Sequence, residues 1–148
     1  MSRVRLIVGL VVLLLSGCTA GNIEKNAMEN LVVTDGVDEA IYSADDLKKI
    51  RAIEEDFLEE TYLGVPLPDL LAVAGFEVDN VKSVKAVAAD GYSVLYDSTI
   101  FTREDVLVAY AKAEEPLSKD DGTFRMVLPG EEGKLNLRIL VELFVEYK

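Results

Sequence analysis

The stretch GVPLPDLLAVAG, residues 64–75, decides how the rest of this chain is interpreted. Its apolar residues recur at the spacing of one helical face: Leu67, Leu70, Leu71 and Ala74. Pro68 suits the first turn of a helix, and Gly75 stands just past its end. The stretch therefore predicts a short amphipathic helix, and the segments on both sides of it show the patterns of strands.

Strand patterns dominate the chain around this helix. Two pairs of segments flank turn signals and predict hairpins: 31–34 with 40–42 around Asp35-Gly36, and 84–88 with 92–96 around Asp90-Gly91. We expect a primed turn in the second hairpin, because its turn residues are Asp and Gly. Apolar and polar residues alternate from 135 to 147, which predicts a long terminal strand with one buried face.

Two pairs of residues resemble helix caps. Ser43, followed three residues later by Asp46, predicts a short helix after the first hairpin. Thr102 with Asp105 favours another short helix, whereas residues 106–110 favour a strand.

The remaining segments are ambiguous or short. Residues 51–60 fit a helix and a strand equally well, so both assignments stay open. We expect a turn at 115–116 and an apolar segment at 124–128 that stops at 129–130. Together these patterns predict one α+β domain over residues 31–148, mostly β-strands and hairpins with short helices.

The amino-terminal residues 1–17 have the layout of a bacterial lipoprotein signal peptide. Arg3 and Arg5 precede an apolar run at 6–15, and Ser16-Gly17 lead directly to Cys18. This run has about half of the ~20 residues that a membrane-spanning helix needs. We therefore expect cleavage before Cys18 and attachment of fatty acyl chains such as palmitate. The alternative is an ordinary signal peptide in which Cys18 is incidental.

A lipidated cysteine would place the protein in the cell envelope, on the extracytoplasmic face of a membrane. Residues 18–30 are mostly small and polar, which predicts a flexible tether between the lipid and the domain. The expected partners are the membrane, through the anchor, and an unknown small molecule or envelope protein. Nucleic acid is not expected, because 27 acidic residues outnumber 15 basic ones and phosphate binding depends on cations.

The composition removes much of the usual chemistry of active sites. The chain has no histidine, and Cys18 is its only cysteine. A Ser-His-Asp triad and a Cys/His zinc site are therefore impossible within one chain. The sequence identifies no catalytic residue and no metal site.

Four motifs in order resemble the oxidoreductase molybdopterin-binding domain, the sulfite-oxidase-like fold: GVPLPDLL at 64–71, DGYS at 90–93, EPL at 115–117 and VLPG at 127–130. The resemblance covers residues 31–148 and implies a mixed domain of strands with short helices over them. It also implies enzymes that bind molybdenum through a pterin dithiolene and a protein cysteine. Their basic and histidine side chains hold the cofactor phosphate.

This chain departs from the pattern that the resemblance implies. The segment IEEDFLEE at 53–60 lies where the family would place its cysteine, and it contains acids instead. These acids also replace the cations that the resemblance implies near the cofactor phosphate, and carboxylates beside a phosphate are electrostatically unfavourable. No catalytic residue can be carried over, so we expect no cofactor, with molybdopterin as the alternative.

Two groups of residues are candidate sites. Asp90, Gly91 and Tyr92 match an element near the ligand side of the family, and the alternative is a plain hairpin turn. The second group could bind a divalent cation or form a solvated acidic face: Glu54, Glu55, Asp56, Glu59 and Glu60. In both groups we favour the structural explanation.

The sequence thus predicts a lipid-anchored, non-catalytic binding or interaction module on a molybdopterin-binding-like scaffold. The alternative is a pterin-cofactor-dependent oxidoreductase or its redox accessory subunit.

Overall fold

Strands make up most of the regular secondary structure in a computed structural model that describes residues 28–113 and 115–148. The predicted signal peptide, Cys18 and tether residues 18–27 lie outside the described residues. The strands follow in chain order: β1 (Leu31–Thr34), β2 (Glu39–Tyr42), β3 (Ile53–Phe57), β4 (Glu60–Pro66), β5 (Val81–Ala88), β6 (Ser93–Asp97), β7 (Leu107–Lys112), β8 (Glu115–Pro116), β9 (Arg125–Val127) and β10 (Leu140–Tyr147).

The strands form two sheets. The first has the order β2-β1-β10-β5-β6, in which β1 and β10 pair in parallel and the other neighbours are antiparallel. The second has the order β3-β4-β7-β8, and β9 also pairs with β7. Side chains of both sheets form the main core, among them Val33, Tyr96, Val65 and Met126. A smaller apolar cluster is built around Tyr62, Leu107, Ala109 and Val127 of the second sheet.

Three short helices complete the described fold: α1 (Ala44–Lys48), α2 (Leu67–Val73) and α3 (Ser98–Phe101), with 3-10 turns at Val78–Asn80 and Gly133–Leu135. Helix α2 confirms the prediction from the opening stretch, and its leucines 67, 70 and 71 are buried. The capping box of α1 is also confirmed, because Ser43 and Asp46 bond reciprocally. No helix in the described ranges is long and apolar enough to cross a membrane. The predicted α+β class is confirmed.

The helix expected at Thr102 was misplaced. Helix α3 ends before this residue and begins after Asp97, whose side chain accepts a hydrogen bond from the Thr99 backbone N–H. The following apolar residues form β7, because their side chains pack into the core. Asp97 and Thr99 give a weaker capping signal than Thr102 with Asp105, since no acid stands three residues after the cap.

The turn of the second hairpin differs from the primed turn that we expected. The Gly91 N–H donates to the Ala88 carbonyl at 2.9 Å, and the Ala88 N–H donates to the Tyr92 carbonyl at 2.8 Å. Among residues 88–92 only Gly91 has a positive φ, 89°. A primed type I turn needs two such residues, whereas one glycine after an ordinary turn forms a bulge that preserves the strand twist.

Two further predictions about strands were wrong in part. The terminal strand begins only at Leu140, because residues 133–135 form a 3-10 turn and Ile139 has a φ of 52°. A register shift between Leu140 and Glu142 then buries Leu140 in place of Val141. The expected turn at 115–116 is strand β8, which pairs with β7.

The ambiguous segment 51–60 contains strand β3 and the turn into β4. Phe57 pairs with Glu60, so Leu58 and Glu59 form a two-residue turn, with φ values of 49° and 65°. Positive φ at both positions is the primed geometry that matches the strand twist. It is costly for these two side chains, because Cβ approaches the carbonyl oxygen.

Replacing this turn with Asn and Gly is expected to stabilise the protein. The double variant Leu58→Asn/Glu59→Gly should raise the free energy of unfolding by about 1–2 kcal/mol, because both residues tolerate positive φ. Urea unfolding followed by circular dichroism measures the change. Val37→Asn, at an exposed turn position with ordinary φ, is the control and should change stability little. An unchanged double variant would show that this turn carries no backbone strain.

Candidate ligand-binding site

A cleft of about 510 Å³ opens where the β3–β4 turn, the β5–β6 hairpin and the segment before β10 meet. Its walls include three cationic side chains, two carboxylates and an aromatic ring: Arg125, Lys134, Arg138, Asp90, Asp120 and Tyr92. A second concavity of about 540 Å³ lies beside Tyr110 and has mostly apolar walls. We take the first cleft as the candidate site, because it joins predicted residues to convergent polar groups.

The structure places two of the three predicted ligand residues on this cleft. Asp90 and Tyr92 line it, whereas Gly91 supplies the positive φ of the turn. One Asp90 carboxylate oxygen accepts a hydrogen bond from the Tyr92 N–H at 2.9 Å. That bond is a turn-stabilising contact. Ligand binding by these residues stays a prediction.

The hairpin is fastened to the opposite wall by two tyrosines. The Tyr92 hydroxyl donates to the Lys134 carbonyl at 3.1 Å, and the Tyr96 hydroxyl donates to the Leu135 carbonyl at 2.6 Å. Burial raises the pKa of the Tyr96 phenol, and the Tyr92 side chain adds a smaller effect. Tyr96 is therefore a neutral donor, and the two walls of the cleft are held together by its bond.

Arg125 is the buried cation of the cleft, with 2% of its surface exposed. Its Nη1 donates to the Asp121 carboxylate at 2.8 Å and to the Tyr62 hydroxyl at 3.1 Å. Its Nη2 and Nε donate to the carbonyls of Asn136 and Met126, both at 3.3 Å. A guanidinium has five N–H donors, and four of those of Arg125 are used in hydrogen bonds within the protein.

Aromatic rings also surround this guanidinium. Its central carbon lies 4.8 Å from the centre of the Tyr62 ring and 5.6 Å from that of Phe57. Cations are attracted to the faces of such rings, and the attraction grows when water is excluded. Arg125 is thus held by its neighbours on the protein side of the cleft.

Asp121 is the counter-ion of a larger cationic cluster. Besides Arg125, the Arg138 Nε lies 3.6 Å from its Oδ1, and the Lys112 Nζ lies 3.8 Å from its Oδ2. The Ser118 hydroxyl donates to Oδ2 at 3.1 Å. The side chain of Asp121 is 5% exposed, so these interactions are weakly screened by solvent.

Asn136 and Arg103 shape the loop that carries the cleft wall. The Asn136 side chain accepts from the Leu128 N–H at 2.6 Å and donates to the Glu132 carbonyl at 3.0 Å. Arg103 contacts the Pro129 carbonyl at 2.8 Å and Glu131 at 2.9 Å. These contacts satisfy backbone groups that lack strand partners, and they fix the loop at 129–136 against the sheet.

The cleft has a mixed charge, whereas the segment 53–60 beside it carries five acidic residues. Three cations line the cleft together with the carboxylates of Asp90 and Asp120. The ammonium of Lys134 is paired with Glu132 at 3.0 Å, and this hydrogen bond raises its pKa. Arg125 was not among the predicted site residues, although one arginine within the apolar run FRMVL at 124–128 is itself a sign of a buried, paired charge.

The acidic residues around β3 do not gather into a metal site. The described residues contain no group of three or more His, Cys, Asp or Glu side chains placed to hold a metal ion. Asp56 accepts a hydrogen bond from Thr61, and Glu60 lies 3.8 Å from Lys112. Partial burial raises the pKa of Glu55, and the charge of Asp105 adds to this effect.

The two sheets, the short helices and the cleft form one α+β domain. A family model, "Oxidoreductase molybdopterin binding domain", matches residues 39–148. The chain therefore belongs to the oxidoreductase molybdopterin-binding domain family.

Two relatives agree with this assignment. The mitochondrial sulfite oxidase of Drosophila melanogaster is 33% identical over 94 residues, covering 57% of this chain and 16% of the relative. The crystal structure of the sulfane dehydrogenase SoxCD from Paracoccus pantotrophus matches with a TM-score of 0.68 at 23% identity. That match covers 80% of this chain and 38% of the SoxCD chain, and it shows the fold.

The side chains present do not fit the metal part of the family's cofactor. Residues 28–113 and 115–148 contain neither cysteine nor histidine, so the described domain offers no thiolate to molybdenum. Nor does the buried cation offer a phosphate two free N–H groups, because Asp121 and three other groups already use four of the five donors of Arg125. Only Lys134 and Arg138 present exposed cationic groups on the cleft.

Proposed function

We propose that this protein is a non-catalytic, ligand-binding member of the molybdopterin-binding domain family. The observation that carries the proposal is the set of polar groups in the cleft: two carboxylates, one amide, a phenol and paired cations, without a thiolate or an imidazole in the described domain. Such groups can orient a small polar molecule by hydrogen bonds, as in most ligand pockets. They provide no ligand that would retain molybdenum by a covalent bond to sulfur.

Analysis of the native protein tests this proposal. The full chain, purified in detergent from cells that make molybdenum cofactor, should contain far less than one molybdenum or tungsten atom per chain. Elemental analysis measures the metal, and extraction with mass spectrometry identifies any organic ligand. A family member with a ligating cysteine, prepared from the same cells, is the positive control. Stoichiometric metal in this protein would overturn the proposal.

We further propose that the domain acts at a membrane surface, held by acyl chains on Cys18. Support comes from the order of charge, apolar run and small residues before this cysteine. Each buried acyl methylene contributes about 0.8 kcal/mol, so two or three chains hold a protein firmly. The available partners are then molecules and proteins of the cell envelope.

Removing the thiol tests the anchor. Cys18→Ser should move the protein from the detergent phase to the aqueous phase in a phase-separation assay, because no acyl chain can be attached. Ser16→Ala keeps a small residue in the signal and should leave partitioning unchanged. If Cys18→Ser still partitions into detergent, the lipid anchor is wrong.

A second candidate is a pterin-dependent oxidoreductase or its redox accessory subunit. Family membership and the cations of the cleft favour it. In this case the metal would need ligands from outside the described domain. Absorption in the visible region by the purified native protein would support this candidate, since amino-acid side chains do not absorb at those wavelengths.

A further inference from the structure

The cluster around Asp121 has a consequence for the kind of ligand that the cleft accepts. We propose that Asp121 is the specificity-determining residue of the cleft. Its buried carboxylate neutralises the charge of Arg125 and thereby excludes tetrahedral oxyanions such as phosphate or sulfate. This inference rests on the proposed function, in which the cleft is the ligand site. It adds the chemical class that the site rejects and names the residue responsible.

The geometry shows why an oxyanion would be rejected. A phosphate binds arginine best through two parallel hydrogen bonds from the guanidinium. Here Nη1 is bonded to Asp121 and Tyr62, while Nη2 and Nε are bonded to carbonyl groups. These four bonds leave one N–H free on Nη2, so an entering anion could form two parallel bonds only by breaking one of them, and it would then lie near the Asp121 carboxylate. The anion and the Asp121 carboxylate are both negative, and like charges that are close together repel strongly where solvent is excluded.

The same cluster would attract an anion if this carboxylate lost its charge. Arg125, Arg138 and Lys112 all lie within 3.8 Å of Asp121. Glu60 is the other carboxylate that contacts Lys112, at 3.8 Å. Without the charge of Asp121, Arg125 loses its carboxylate partner and Arg138 loses its contact at 3.6 Å. The potential beside the cleft then becomes more positive and favours an anion, with Asp90 and Asp120 as the carboxylates that stay on the cleft walls.

An asparagine can replace Asp121 without removing the turn that holds it. The backbone N–H of Asp121 donates to the Ser118 carbonyl at 3.1 Å, and its carbonyl accepts from the Ile139 N–H at 2.8 Å. Neither bond involves the side chain. The Asn side chain has nearly the same shape and still offers an oxygen to Arg125, so Asp121→Asn removes the charge with little change in packing.

The test is phosphate binding to the full chain in detergent, measured by isothermal titration calorimetry at constant ionic strength with potassium chloride. Asp121→Asn is expected to bind phosphate at least tenfold more tightly than the natural protein. The control is Asp45→Asn, which removes one negative charge from the exposed helix α1, and it should behave like the natural protein. Equal phosphate affinity in the natural protein and in Asp121→Asn would overturn the proposal.

Thermal unfolding keeps the test decisive if the variant is unstable. Phosphate should raise the melting temperature of Asp121→Asn, whereas potassium chloride at equal ionic strength should not. Failure of phosphate to stabilise or refold this variant would also overturn the proposal. This test is independent of the test of the proposed function. The molybdenum content of the native protein tests whether the cofactor is bound, whereas the phosphate affinity of the variant tests the role of Asp121.

Discussion

Arg125→Met is expected to lower the free energy of unfolding by about 3 kcal/mol, near the lower end of the 3–5 kcal/mol found when one partner of a buried ion pair is removed. The variant keeps a long apolar stem but leaves the Asp121 carboxylate, 5% exposed, without its contact at 2.8 Å. It also leaves the Tyr62 hydroxyl without a partner in Arg125. Arg138 and Lys112 still compensate part of the charge, which places the loss near the lower end.

Urea unfolding of the full chain measures this loss. Lys134→Met is the matched control, because it removes the same charge from a side chain that is 69% exposed and should change stability by less than about 0.5 kcal/mol. The double variant Arg125→Met/Asp121→Leu should recover part of the loss, since apolar groups can replace a buried ion pair. Equal effects of Arg125→Met and Lys134→Met would contradict the assignment of Arg125 as a buried structural cation.

Gly64→Ala should destabilise the protein by about 3 kcal/mol, at the upper end of the usual cost of overpacking. A Cβ atom on Gly64 would lie 2.4 Å from the Val108 carbonyl oxygen and 2.7 Å from the Ala109 Cα. Both atoms belong to the backbone of β7, so no side chain can rotate away. The register shift between Leu63 and Gly64 brings the two strands to this close approach.

The matched control for this variant is Gly133→Ala. A Cβ on Gly133 would meet nothing within 4 Å, so the change should be neutral or slightly stabilising. Chemical unfolding compares both variants with the natural protein. Equal stabilities of the two variants would show that β4 and β7 can move apart at Gly64 without cost.

The parts of the fold that the sequence predicted correctly have local causes. Helix α2 follows from its apolar spacing and from Pro68, and α1 follows from the reciprocal bonds of Ser43 and Asp46. The pairing of β1 with β2 follows from a turn signal between apolar segments. In each case the residues that determine the structure lie within a few positions of one another.

The parts that were missed depend on contacts between distant segments. The bulge near Glu142 arises from pairing with β5, and Glu115–Pro116 becomes a strand because β7 lies beside it. The turn at Leu58 and Glu59 carries residues that disfavour its geometry, so no local signal predicts it. Within the site, motif matching found Asp90 and Tyr92, whereas Arg125 becomes prominent only when the chain brings Asp121, Tyr62 and Asn136 around it.

The position of β1 has a mechanical consequence. This strand follows Asn30 directly and is bonded on one edge to β2 and on the other to β10. A pull applied to the chain at Asn30 along the strand therefore loads the hydrogen bonds to both neighbours at once. They must shear together, since the strand cannot be peeled from a free edge. If the proposed anchor holds the domain at its amino-terminal end, tension on the chain is carried by an inner strand of the sheet.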